Sequence, residues 1–125
     1  LLGPLVLQKL DTLPSNADGS ARSYFFEVPF AAASKVLFLA LFINSKSSSD
    51  VRVSVKAFRG MDGVRWDSTE FWTPWSGVSS ETYQVVDSSS AGDFGPRVRI
   101  VVAVSSNMSQ QDSVELELTV SGKPF

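Results

Sequence analysis

The feature that most constrains the fold is a two-residue period of apolar side chains, which recurs in three separate segments. Apolar residues occupy every second position in Val51–Ala57, and mostly polar residues lie between them. Alternate apolar positions also mark Val98–Val104 and Val114–Val120. Side chains two residues apart lie on one face of a strand, so each segment is predicted to be a β-strand that buries one face.

Weaker strand patterns fill much of the remaining chain, and clusters of serine, glycine and proline separate them. No window of a dozen residues carries a helical apolar stripe. Eight or nine short strands predict an all-β fold, an antiparallel two-sheet sandwich of jelly-roll type. The weaker predicted strands are Leu5–Leu10, Tyr24–Val28, Val64–Trp66, Glu70–Thr73 and Thr82–Val86.

Length and composition narrow the possible functions. With 125 residues the chain is predicted to form a single domain, residues 1–125, with an apolar N-terminal arm at about 1–10. Eleven basic and thirteen acidic residues give a net charge of −2, which predicts no nucleic-acid partner. The absence of Cys and His excludes thiol nucleophiles, the serine triad and imidazole metal sites. No apolar run is long enough to span a bilayer, so no membrane partner is predicted.

One predicted strand, Val36–Ile43, is apolar on both faces, whereas a sandwich strand ordinarily buries only one. Two explanations are open. A loop or the N-terminal arm covers the second face, or that face is a subunit interface, because large exposed apolar patches are rare on soluble monomers. The candidate interface residues on this strand are Val36, Phe38 and Phe42.

The start of the chain supplies the other half of this hypothetical interface. Leu1, Leu2, Leu5 and Leu7 are large apolar residues in a position where chains are ordinarily polar and frayed. A bend at Gly3–Pro4 would send the first two leucines toward a neighbouring copy, while Leu5–Leu10 pairs as an edge strand. Docking on the outer face of the neighbour's Val36–Phe42 would bury both apolar surfaces. The alternative is that the arm folds back onto its own sheet.

The last two strong strands are predicted to form a hairpin across Ser105–Asp112. If Val104 pairs with Val114, the register places Arg99 diagonal to Glu117 on the outer face. Such a pair would fix the register more than it would add stability, and the alternative is that these residues form a solvated charged face.

Four aromatic residues, Trp66, Trp72, Trp75 and Tyr83, suggest a second kind of site. Exposed rings on a β-sandwich can stack on sugar rings, and a turn at Thr73–Pro74 could hold one ring outward. The alternative is that these rings fill the core or an interface, since tryptophan is a large hydrophobic residue.

Acidic residues provide no catalytic constellation. The aspartates are scattered singly in loops, where Asn16–Gly19 and Met61–Gly63 are typical of turns, and a structural calcium ion is the alternative. Glu70 and Glu81 form the one plausible carboxylate pair, and nothing places them in a cleft. The sequence therefore predicts no catalytic residue, no metal ligand and no cofactor.

Three segments resemble small phage-associated β-sandwich proteins. Arg59–Trp66 is similar to their Ser-x-Asp-Gly-x-x-Trp turn after a valine-rich strand, with Met61 in place of the usual Ser or Asn. Gly92–Arg99 is similar to their Gly-x-Phe-Gly-x-x-Val-Arg lead into the next-to-last strand, and Gly122–Phe125 to their short ending. The resemblance covers the chain from Val51 onward. It implies a virion or tail structural component without catalytic residues.

Two functional hypotheses follow. The first is a non-enzymatic structural subunit of a phage-like virion or a filament, located in a virion or extracellular assembly. Its partners would be copies of itself or other structural proteins of the same assembly. The second is a carbohydrate-binding module that uses the aromatic platform.

Overall fold

The computed structural model describes the backbone of residues 5–29, 36–60, 64–79, 83–87 and 97–123, and within them the side chains of residues 12–27, 39–60, 64–79 and 98–120. These parts of the chain contain eight strands and no helix, hence no helix that could cross a membrane. The strands are β1 (Leu5–Pro14), β2 (Arg22–Pro29), β3 (Val36–Lys46), β4 (Val51–Gly60), β5 (Trp72–Val78), β6 (Tyr83–Asp87), β7 (Arg97–Ser106) and β8 (Ser113–Lys123).

The strands form two four-stranded antiparallel sheets. The first sheet has the order β1-β8-β3-β6 and the second the order β2-β7-β4-β5. Consecutive strands alternate between the sheets except for β4 and β5, which are neighbours in the second sheet. This is the connectivity of a jelly roll, in which two sheets cover each other's apolar faces. The predicted all-β, antiparallel, jelly-roll-like sandwich is confirmed.

The core lies between the sheets and consists mainly of aliphatic residues at alternate positions. The two central strands of each sheet each contribute an inward row, because the pleat turns every second side chain to the same face. These strands are β3 and β8 in the first sheet and β4 and β7 in the second. The buried aliphatic residues of these rows are Leu39, Leu41, Ile43, Val51, Val53, Val55, Ala57, Val98, Ile100, Val102, Val104, Val114, Leu116, Leu118 and Val120.

The predicted hairpin between the last two strands is wrong. β7 pairs with β2 and β4 in the second sheet, whereas β8 pairs with β1 and β3 in the first. Their inward rows do meet, but across the core and not side by side. Arg99 therefore lies beside Glu27 and Phe58 in its register, and Glu117 lies beside Lys9 and Phe42 in the other sheet.

Two local predictions also need correction. Val64–Trp66 is not a strand, since Trp66 makes only an isolated bridge with Gly60. Thr73–Pro74 is not a turn, because both residues lie inside β5. Proline lacks the N–H that a central strand needs, but β5 is an edge strand with register shifts on both sides of Val55, where a missing donor is tolerated.

The β1–β2 connection is a tight turn that contacts the β7–β8 connection. The Asp18 carboxylate accepts hydrogen bonds from the Ser20 hydroxyl at 2.6 Å and from the Ser20 backbone N–H at 2.9 Å. Gly19 follows with a φ of 88°. Its carbonyl accepts a hydrogen bond from the Ser106 N–H at 2.9 Å, and a Cβ on Gly19 would overlap the carbonyl oxygen of Met108. The turn predicted at Asn16–Gly19 is present. Its glycine is required both by the positive φ and by the close approach of the Met108 carbonyl oxygen.

A comparison of two glycine substitutions separates these two requirements. Gly77 also has a positive φ, 61°, but a Cβ there would meet no atom. We expect Gly77→Ala to cost about 1 kcal/mol of unfolding free energy from backbone strain alone. Gly19→Ala should cost about 1–3 kcal/mol more, because the added methyl group must displace backbone. Urea denaturation of both variants measures the difference, and equal losses would contradict the close approach.

Candidate functional site

The predicted interface residues fall on two strands of the first sheet. β1 is an edge strand whose backbone pairs with β8 from Leu5 onward, and β3 lies between β8 and β6. On β3 the inward face is buried as expected, and on the outer face Ala40 is only 8% exposed while Phe42 is half-buried. At these two positions the outer face is therefore not a large exposed apolar patch. Leu1 and Leu2 lie outside the described residues, as do the side chains of Leu5, Leu7, Val36 and Phe38.

The four candidate platform residues do not form one surface. Trp75 is 2% exposed and belongs to the core beside Val55, so its ring is not available to a ligand. Trp72 is half-buried and packs against the same core. Tyr83 is opposite Phe42 in the register of the first sheet, with its side chain outside the described residues.

Trp66 is held on the outer side of the second sheet. Its isolated bridge with Gly60 brings the indole against the glycine, and a Cβ on Gly60 would overlap ring atoms Cε3 and Cζ3. Arg99 lies over the indole, with its guanidinium carbon 4.9 Å from the ring centroid. Two contacts from its own chain therefore fix this ring, and it is not part of the core.

The same arginine also contacts Phe25, so a cation lies between two aromatic rings. The guanidinium carbon of Arg99 is 5.0 Å from the centroid of the Phe25 ring. Arg99 alternates with buried Val98 and Ile100, which places the arginine on the outer face of the sheet. Each such contact stabilises by roughly 0.5–1 kcal/mol at an exposed site. We call Phe25, Arg99 and Trp66 the aromatic–arginine stack.

Neighbouring charges on this sheet are also paired locally. Lys56 lies 3.6 Å from the Glu70 carboxylate, and the Arg59 guanidinium lies 4.6 Å from the centroid of the Phe71 ring. Glu70, one of the two candidate carboxylates, therefore forms an ion pair with Lys56. Glu81 lies outside the described residues. Within the described ranges, no group of three or more His, Cys, Asp or Glu residues is arranged to hold a metal ion.

A cluster of polar side chains closes one end of the sandwich. At its centre is Asp112, which is 4% exposed. Its carboxylate accepts hydrogen bonds from the hydroxyls of Ser106 at 2.6 Å and Ser47 at 2.8 Å, and from the Gln110 amide at 3.1 Å. Its backbone carbonyl accepts the Ser15 N–H at 2.8 Å. The bonds from Ser106, Gln110 and Ser47 lower the pKa of Asp112 to about 2. The donors come from three connections of this chain, so the cluster is a structural closure.

The stack was missed because it joins residues that are distant in sequence. The alternation in β2 could have placed Phe25 on the outer face, since Tyr24 and Phe26 on either side of it pack against the core. Nothing in the sequence indicates that Arg99 and Trp66 reach the same place. The contact of Arg99 with Phe25 depends on the pairing of β2 with β7, and its contact with Trp66 depends on the path of the chain after Gly60.

Comparisons with known proteins show the fold. No protein-family model and no curated protein matches the chain. It is similar to the xylan-binding module CBM15, with a TM-score of 0.54 and 12% identity, covering 89% of this chain and 76% of the module.

The chain is also similar to chains of infectious bursal disease virus. The TM-score is 0.52 for the Gt strain, at 10% identity, and 0.50 for the Gx strain, at 11% identity, each covering 98% of this chain. The match spans about a third of those viral chains, 31% and 32% respectively. Identities this low support a jelly-roll β-sandwich and do not single out the phage proteins that the sequence motifs resemble. Much of those motifs, residues 61–63, 92–96 and 124–125, lies outside the described residues.

Replacing Asp112 tests the closure. A carboxyl whose pKa is lowered on folding contributes stability above its unfolded pKa near 3.8 and loses that contribution as pH falls toward about 2. Asp112→Asn should therefore be less stable than wild type at neutral pH, because an amide N–H would face the donors. The difference between the two proteins should shrink between about pH 4 and pH 2.

Thermal unfolding of both proteins, from neutral pH down to about pH 2, measures the effect. Asp18→Asn is the matched control, because the Asp18 pKa is also lowered, by the Ser20 hydroxyl first and then the Ser20 N–H, but within one exposed turn. A larger loss from Asp18→Asn than from Asp112→Asn would contradict the role given to Asp112.

Proposed function

We propose that this chain is a non-enzymatic structural module that works by assembling with copies of itself, in a virion or another extracellular assembly. The observation that carries the proposal is Phe25, which is 58% exposed on the outer face of a regular strand. Among the described residues, the other exposed large hydrophobic side chains, Val64 and Met108, lie outside the strands. A ring already held by a strand and by Arg99 loses little conformational freedom on binding, which favours a role as an interface anchor.

The comparisons support this proposal at the level of architecture. The viral chains that share the fold belong to virus particles, and the match covers nearly all of this chain. The sequence motifs add a phage-like virion or tail component as the finer proposal.

The alternative proposal is carbohydrate binding, favoured by the similarity to a xylan-binding module. A sugar platform needs an aromatic face open to solvent. Trp75 is buried, Trp72 packs on the core, and Trp66 contacts both Gly60 and Arg99. These contacts weigh against the tryptophan platform and leave assembly as the better supported function.

Sedimentation velocity over a wide protein concentration range tests the proposal. We expect dimers or larger species to form reversibly. The fluorescence of a dye that binds exposed apolar surface should decrease as they form. The same preparation should give no change in tryptophan fluorescence with xylan or other polysaccharides. A monomer at every concentration would contradict assembly, and saturable binding of a polysaccharide would favour the alternative.

The N-terminal arm remains a proposed contact within such an assembly. Residues 1–4 would dock on the outer face of β3 of a neighbour, with Leu5 onward retained in the edge strand β1. Deleting residues 1–4 should then reduce the size of the assembly and leave the unfolding temperature nearly unchanged. If the shortened chain assembles as the full chain does, or fails to fold, arm exchange is wrong.

A further inference from the structure

The four edge strands of the sandwich differ in how well they are protected against pairing with another strand. β1 and β5 have register shifts, β5 also contains Pro74, and the described part of β6 spans five residues. Bulges, prolines and short length are three of the devices by which edge strands avoid association. β2 has none of them between Arg22 and Val28.

β2 is therefore the edge best suited to pairing. It is bonded to β7 over eight consecutive positions without a register shift, and among the described residues it has no strand on its other side. Ser23, Phe25 and Glu27 on its outer face are exposed. The unused side of a regular strand presents alternating N–H and C=O groups, and a second strand is the partner that satisfies that row.

We propose that β2 pairs antiparallel with β2 of a second copy, joining two second sheets into one continuous eight-stranded sheet. This inference rests on the proposed function and identifies the contact through which copies join. The partner is a second copy because a two-fold axis perpendicular to the sheet makes β2 its own complement. Such an axis keeps the apolar inner faces of both copies on the same side.

The side chains of β2 select the register. With the axis at Phe25, the two Phe25 rings are directly opposite, Tyr24 is opposite Phe26, and Ser23 is opposite Glu27. Pro29 then lies beyond the end of the partner's β2 and costs the ladder no donor. With the axis at Phe26, Phe25 would be opposite Glu27 and Pro29 would enter the ladder. The Phe25-centred register is therefore the favoured one.

This register also explains why Phe25 is exposed in the isolated chain. Opposite side chains in an antiparallel pair have Cβ atoms about 4.5–5.5 Å apart, within contact distance for two rings. The aromatic–arginine stacks of the two copies would then meet at the axis in the order Trp66, Arg99, Phe25, followed by the same three residues reversed. The exposed ring of each copy becomes buried against the other.

Charge substitution at Ser23 tests both the edge and the register. Ser23→Glu places a carboxylate opposite Glu27 of the other copy, and symmetry repeats the repulsion, so the dimer Kd should rise about tenfold. Ser23→Lys places an ammonium there instead, and the Kd should fall. The matched controls Ser76→Glu and Ser76→Lys lie at an exposed position of β5, on the opposite edge of the same sheet, and should change the Kd by about twofold or less.

Hydrogen exchange gives a second measurement that needs no variant. Backbone amides within residues 23–27 should gain protection as the concentration of wild type passes through the Kd, whereas amides of β5 should not. Unchanged thermal unfolding of the Ser23 variants would show that they remain folded.

The outcomes distinguish this inference from the function on which it rests. A wild type that self-associates with the same Kd as Ser23→Glu would overturn pairing through β2 and leave assembly standing. Equal weakening by Ser23→Glu and Ser23→Lys would overturn the Phe25-centred register. A wild type that stays monomeric at all concentrations would overturn both proposals.

Discussion

Contact between the inward rows of aliphatic side chains on the two sheets is the interaction on which the rest of the structure depends. Each sheet alone would expose one fully apolar face to water, and only the facing sheet removes it. The rows of β3 and β8 in one sheet meet those of β4 and β7 in the other, and all four are almost completely buried. The outer faces and the loops can therefore vary in composition, because they contribute little to this burial.

The ends of the sandwich depend on short polar side chains. Jelly-roll connections cross from one sheet to the other, so several backbone segments converge where few apolar residues are available. Asp112 joins three of these connections through Ser15, Ser47 and Ser106, and Gly19 allows two of them to come into backbone contact. An ionised carboxylate can accept several hydrogen bonds at once, which suits it to this place better than an amide or a hydroxyl.

The outer face of the second sheet carries the features that point to function. Aromatic rings and basic side chains alternate there, and Arg99 lies between Phe25 and Trp66. Two of the tryptophans that the alternative hypothesis assigned to sugar binding are used by the chain itself, for the core in the case of Trp75 and against Gly60 in the case of Trp66. Among the side chains that the structure describes, the exposed aromatic one is Phe25, on the strand whose edge is least protected. The proposed assembly accounts for this distribution better than the proposed sugar platform does.

The sequence by itself determined where most of the strands lie and which face of the strongly alternating strands points inward. A two-residue period is a local property, and its consequence holds whichever strand lies alongside, so Val51–Ala57, Val98–Val104 and Val114–Val120 were placed correctly. Only the tertiary structure decided which strands are neighbours. Adjacent strands in sequence can pair in one sheet or face each other across the core, and both arrangements bury the same inward row. That choice separated Arg99 from Glu117, placed it between Phe25 and Trp66, and made Pro74 acceptable in an edge strand.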